Sequence, residues 1–358
     1  MRDYLKQQLI RLKHWEYWNS GIIYLPVFPY LLFLMIKRRD PFFFIAANPG
    51  IENGGFTLES KWKIQDQMQH KWFPETRLIL KSTAPDQIRE QIRDIQFPCY
   101  LKPDIGGKGR GVVQIQSMDE LIEYHAHCPI DFLVQEKIPY PLEIGVFFIK
   151  NPLDSSGTIS GIVLKEYICL TGDGTSTIAE LLRSNPRYFL QFNRLKKAYP
   201  EKLTQVPGKG EQEILSEIGN HALGSAFRDC SNQITPALTD LINELASELP
   251  DFYFGRFDIR FNSWEELNRG EQFAIVELNG AGSEPTHIYD SSHSLFFAWS
   301  EIIRHWKAMS LISKSVNRQK RHKISFIEGI KLFKNHAKVM KQLDRFSNSI
   351  QLKKHEIF

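Results

Sequence analysis

The chain has 358 residues, 42% hydrophobic and 24% charged, the balance of a globular protein with room for one large domain or two to three packed subdomains. Four cysteines, at 99, 128, 169 and 230, include no C-x-x-C pair; this spacing fits neither a zinc site nor a disulfide framework, and a reducing compartment is the default. The net charge of +4 is unevenly placed, because residues 311–358 hold 12 Lys/Arg against 3 Asp/Glu and the other 310 residues carry −5.

The opening Met-Arg-Asp-Tyr shows no signal-peptide apolar region. Residues 21–36, GIIYLPVFPYLLFLMI, are uncharged and end at Lys37-Arg38-Arg39. A helix of this length covers roughly 24 Å, short of the ~30 Å hydrocarbon core, and Pro26 and Pro29 interrupt its first half. The segment is therefore either an interfacial anchor, with Trp15, Trp18, Tyr24 and Tyr30 at headgroup level, or a stretch buried against the main domain. PFFFIAANPGIENGGF (41–56) reads as a buried strand entering a loop. A helix is expected from Ser60 to about His70, a short strand at 77–80 and a helix at 85–94. Strands dominate 97–150, with one helix near 118–127. A strand at 158–170 precedes a helix at 175–183, and 185–233 is polar without a period. Helix 236–248 leads to strands 252–262 and 272–279 joined by a polar turn, then to helix 290–310 and the basic tail. Blocks of strands and helices make the class α+β or α/β. The tail suggests an anionic partner or a solvated helical appendix.

FPCYLKPDIGGKGRGVVQIQ (97–116) is the most informative stretch. Lys102 sits on a strand before Gly106, Gly107, Gly109 and Gly111, and a second strand follows. Glycines let backbone N–H groups approach phosphate oxygens, and Lys102 and Lys108 add positive charge. The stretch lacks the Walker A pattern, and it leads into a strand rather than the helix of a dinucleotide fingerprint. It reads as a hairpin flap over phosphates, the alternative being a tight hairpin with surface lysines. Further on, FGRFDIRF (254–261) sends Arg256, Asp258 and Arg260 to one face, and FAIVELNG (273–280) does the same for Glu277 and Asn279. If the strands pair, Asp258, Glu277 and Asn279 offer three oxygen ligands suited to Mg²⁺ bridging phosphates, with Arg256 beside them to stabilise developing charge.

In this order the motifs resemble the ATP-grasp superfamily, in its D-alanine–D-alanine ligase-like branch, from about Ser60 to Trp306. The strand–GDG–helix stretch KEYICLTGDGTSTIAELL (165–182) and VPGKGE (206–211) are similar to cyanophycin synthetases. The resemblance implies two α+β subdomains clasping ATP. It makes Lys61 and Lys102 nucleotide lysines, Glu136, Lys137 and Ile138 the adenine hinge, and Glu143 the ribose acid. Lys165 would face the phosphates, Arg256 would be the transition-state arginine, and Asp258, Glu277 and Asn279 would hold two Mg²⁺ ions, with Mn²⁺ able to substitute. It divides the chain into a reduced N-terminal segment (1–59), an ATP-grasp domain (60–310) and a basic helical tail (311–358). The activity it implies is a carboxylate–amine ligase working through an acyl phosphate on small molecules, with no specific nucleic acid. The alternative is a membrane-surface nucleotide-binding module with little or no turnover. A cytoplasmic location is expected from ATP use and reduced cysteines, and a peripheral place at the inner membrane face from the apolar segment 21–36 beside Lys37-Arg38-Arg39 and from the +9 tail. Of the histidines near candidate substrate loops, His221 reads as structural, and His287, with Glu284, as closer to a substrate role.

Overall fold

A computed structural model describes residues 2–216, 219, 221, 224–316 and 323–353. Its helices are α1 (Arg2–Lys13), α2 (Ser20–Tyr24), α3 (Phe28–Arg38), α4 (Lys61–Gln65), α5 (Pro85–Gln91), α6 (Met118–His127), α7 (Ile178–Ser184), α8 (Pro186–Phe189), α9 (Phe192–Ala198), α10 (Pro236–Glu248), α11 (Trp264–Asn268), α12 (Leu295–Ser315) and α13 (Phe326–Lys353). The strands form separate antiparallel sheets, so the class is α+β.

The smaller of the two principal sheets runs β1 (Thr76–Ile79), β4 (Phe132–Glu136), β2 (Cys99–Pro103), β3 (Val113–Ile115). Strand β2 alternates: Cys99, Leu101 and Pro103 are buried, while Tyr100 and Lys102 turn to the other face. The buried face packs on Ile88 of α5, Ile92 just after it, and Leu121 and Tyr124 of α6. Pairing of Cys99 with Ile115 closes the expected Gly-rich hairpin.

The larger sheet runs β11 (Phe273–Asn279), β10 (Phe254–Phe261), β5 (Leu142–Ile149), β6 (Thr158–Glu166), β9 (Ala226–Asp229). Phe257, Ile259 and Phe261 of β10 and Ile144, Val146 and Phe148 of β5 pack with α10. The period of two therefore sends Arg256, Asp258 and Arg260 to the opposite face.

Three expectations are corrected. Residues 41–56 form no strand; Phe43–Ala47 and Glu52–Gly55 are 3-10 turns. All five residues of 43–47 are buried, and a run buried on every side carries no period to separate strand from turn. Asn48 fixes the segment instead, accepting from the N–H of Tyr253 and Phe254 and donating to the carbonyls of Gly54 and Phe254, at 2.8–2.9 Å. Residues 185–233 are not irregular throughout. β7 (Ile168–Thr171) and β8 (Gln212–Ser216) pair, and with α7, α8 and α9 they enclose a small core of their own. Short capped helices do not accumulate a visible period: Asn185 accepts from the N–H of Arg187 and Tyr188 to start α8. The join between β10 and β11 contains α11, capped by Ser263.

Both ends of the chain are built into the fold. Ile23, Val27, Leu31 and Leu34 of the 21–36 segment are buried against α12 and the large sheet. Helix α13 lies across both halves: Leu332 and Phe333 pack with Phe42 and Phe44, while Leu343 and Phe346 enter the core of the small sheet. The basic tail is thus not a solvated appendix over 326–350.

Candidate active site

The Lys102 face of the small sheet and the Asp258 face of the large one look onto a single cavity of about 820 Å³, within the range of small-molecule sites.

On the flap side, Lys61 opens α4 and donates to the carbonyl of Gly106 at 2.5 Å, while the N–H of Trp62 donates to Asp104 Oδ1 at 2.8 Å. The start of α4 therefore holds the base of the flap. Gly106 has φ +133°, and a Cβ there would meet Leu343 Cδ1 at 2.8 Å; at Gly111, φ +68°, it would meet Pro103 at 2.8 Å. Both glycines are required by backbone and space together. A Cβ on Gly107 would meet nothing, so the flap is open to a ligand there. Lys102 has a neutral protein partner, the amide oxygen of Gln135. Burial lowers its pKa to about 8.

The large sheet presents a closed ionic network. Arg256 donates to both oxygens of Asp258, at 2.7 and 3.0 Å, and Lys165 Nζ lies 3.2 Å from Asp258 Oδ2 and 2.8 Å from Glu143 Oε1. Tyr167 donates to the other oxygen of Glu143 at 2.6 Å, with Arg260 3.6 Å away. Burial opposes ionisation of Glu143, Asp258, Lys165 and Arg256, but the pairing outweighs it. Both carboxyls are lowered, and Lys165 and Arg256 are raised. Glu277 stands opposite Asp258 in the strand register and Asn279 opposite Arg256; all four line the cavity.

Among the described residues no three His, Cys, Asp or Glu side chains form a metal cluster. Two carboxylates and an amide on one strand-pair face do fit an ion held largely by phosphate oxygens, the manner in which Mg²⁺ is usually bound. Glu277 is the freer donor, with Lys61 3.5 Å away; Asp258 is already engaged by two cations.

Lys61, Lys102, Gly106, Gly107, Lys108, Gly109, Glu136, Ile138, Glu143, Lys165, Arg256, Asp258, Glu277 and Asn279 line the one cavity, whereas Lys137 and Gly111 do not. Each oxygen of Glu143 already accepts one hydrogen bond, from Lys165 and from Tyr167, so a ribose hydroxyl would have to use a remaining lone pair. The two histidines lie in different places. His287 is buried, bonds Glu301 at 3.1 Å and lies outside the cavity lining. His221 lines the cavity, stacks at 5.7 Å on Tyr17, and is pushed down to about 3 by burial and then by Arg187. Sequence reasoning missed Glu16, Trp18 and Ser20 before and within α2, Thr57 and Glu59, Tyr289, and His336 and Met340 of α13, all at the cavity. Only the aromatic, charged character of 15–18 offered a signal; the tail's cavity residues had none.

No family model and no curated protein sequence matches the chain. Among solved structures it is similar to a bifunctional glutathione synthetase from Pasteurella multocida, at 12% identity over 70% of this chain and 38% of that one, TM-score 0.38. It is also similar to D-alanine–D-alanine ligase from Bacillus anthracis, at 13% identity over 72% and 69%, TM-score 0.42. A third is VanG D-Ala:D-Ser ligase from Enterococcus faecalis, at 12% identity over 71% and 62%, TM-score 0.40. The chain thus spans less than two thirds of the length of the first and third. At this degree of likeness, the functional reading rests on the site's own residues.

Proposed function

We propose that the chain is an ATP-dependent carboxylate–amine ligase of the ATP-grasp kind, acting through an acyl phosphate. One observation carries this reading: Lys61, Lys102 and a Gly-rich flap face Asp258, Glu277 and Asn279 across a single cavity. Lys102, Lys61 and the backbone of 106–109 would hold the transferring phosphates. Asp258, Glu277 and Asn279 would hold Mg²⁺, one ion or two, with Mn²⁺ as a substitute, supplying charge neutralisation on those phosphates. Arg256 is fixed by Asp258 on one side, and its Nη1 donates to the carbonyl of Glu284 at 3.4 Å. From there it would stabilise the oxyanion formed when an amine displaces phosphate from the acyl group. Lys165, clamped between Asp258 and Glu143, keeps both carboxylates ionised and in place. The protein contributes positioning and preorganised charge, with no covalent nucleophile. The substrates in this reading are small carboxylates and amines, and the setting is the cytoplasm.

ADP release, measured against a panel of amino acids and short peptides with Mg²⁺ present, tests the proposal. Turnover dependent on one carboxylate and one amine is the expected result. Tight ATP binding with no ADP release under any pairing would favour the alternative, a nucleotide-binding module at a membrane surface.

A further inference from the structure

Residues 21–36 divide into two faces. Ile23, Val27, Leu31 and Leu34 are buried. The other face is not, although it is equally apolar: Ile22 is 57% exposed, Leu25 70%, Phe28 54%, Leu32 46%, Phe33 52% and Ile36 68%. Phe28, Leu32, Phe33 and Ile36 share one face of α3 by their spacing of four, one and three residues, with Leu25 in the turn before it and Ile22 on α2. A row of six large apolar side chains left in water is costly, and contiguous patches of this kind mark interaction sites.

The end of the row shows what covers it. Helix α3 terminates in Lys37 and Arg38, with Arg39 in the left-handed C-cap; Lys37 and Arg39 are exposed. Beyond them the Phe42 ring lies 6.3 Å from Phe326, which brings the first turn of α13 alongside. That turn exposes Phe326 and Ile327, with Lys323 and Lys331 exposed on either side. An apolar ridge bounded at one end by cations matches an interface with acyl chains below and anionic headgroups beside it. No helix among the described residues is long and apolar enough to cross a membrane, so the ridge would lie along the surface.

We infer that the outer face of α2 and α3 docks this protein onto an anionic lipid surface, with Leu25, Phe28, Leu32, Phe33 and Ile36 entering the acyl boundary and Lys37 and Arg39 meeting lipid phosphates. The inference is independent of the ligase reading. It also moves the anchor away from the far C-terminal basic stretch, because α13 spends Leu343 and Phe346 on the core of the small sheet.

The test is flotation of the full chain with phosphatidylcholine vesicles, with and without a third of phosphatidylglycerol, at low and high salt. The chain is expected to float with the anionic vesicles and less at high salt. Phe28→Glu combined with Leu32→Glu should reduce binding at least about tenfold, because charges enter the ridge; Lys37→Glu with Arg39→Glu should abolish the preference for anionic lipid. Both pairs are exposed, so an unchanged circular dichroism spectrum and an unchanged urea midpoint verify that the variants are folded. A full chain that stays in the soluble fraction at low salt overturns the inference, as does undiminished flotation of the Phe28/Leu32 variant. A concentration-dependent dimer that the same substitutions dissolve would assign the ridge to a second copy of the chain, and would equally overturn it.

Discussion

Lys102 and Lys165 reach the same cavity from opposite sheets, in opposite surroundings. Lys165 is clamped between two carboxylates, at 2.8 and 3.2 Å, whereas Lys102 hydrogen-bonds the amide oxygen of Gln135 and is pushed down to about 8 by burial, which outweighs the favourable charges of Glu277 and Glu143. On the large-sheet side Asp258, Glu143, Lys165 and Arg256 compensate one another in a network. On the flap side the charges of Glu277 and Glu143 do not offset the burial of Lys102, and a bound phosphate would. Such a division suits a site that must keep its reacting groups rigid while making nucleotide binding pay for ionising its lysine.

Breaking the network should give the largest effect. Asp258→Ala leaves Arg256 and Lys165 buried beside one carboxylate fewer, and should cost about 3–5 kcal/mol of stability, read by urea unfolding. A loss below about 1 kcal/mol would mean the network is not closed in solution. Next, Leu343 is fully buried where α13 meets the small sheet. Leu343→Ala should cost about 2–5 kcal/mol, and hydrogen exchange should rise in the flap and β3 while β10 and β11 keep their protection. Uniform loosening of both sheets would show that the flap side is not a separate unit.

Lys102→Ala should weaken ATP binding by about 1.5–3 kcal/mol, measured by calorimetry, with little change in stability because no buried ion pair is broken. Unchanged affinity in the folded variant would remove Lys102 from the site. The smallest effect is a pH dependence whose sign follows from the lowered pKa. Below pH 8 Lys102 is charged and ready for phosphate; above it the neutral form dominates and must take up a proton on binding. ATP affinity should therefore fall roughly tenfold from pH 7 to pH 9. Lys102→Arg, which keeps its charge, should flatten that slope. An equally steep slope in the arginine variant would assign the titration to another group.

Much of the site was legible in the chain itself. Alternation along FGRFDIRF and FAIVELNG put Arg256, Asp258, Glu277 and Asn279 on shared faces, because a strand's side chains alternate whatever it pairs with. Lys102 and the glycines before β3 were legible because positive φ and close approach leave few residue types available. The partners were not. Nothing in the order of residues joins Lys165 to Asp258, 93 positions apart, or Gln135 to Lys102, since those contacts exist only after the strands of each sheet are in register.

The two ends of the chain mark the same limit. Sequence alone established that 21–36 is apolar and helical in length, that a basic cluster follows it, and that 311–358 is strongly basic. Hydrophobicity is a property of each side chain, so it can be read without a fold. Which face of 21–36 is buried, and that Leu343 and Phe346 of α13 pack against the flap and the small sheet, was decided by tertiary packing. Burial is a relation between surfaces distant in the chain, and Leu343 became core only when the small sheet, assembled from four separate strands, offered it a place.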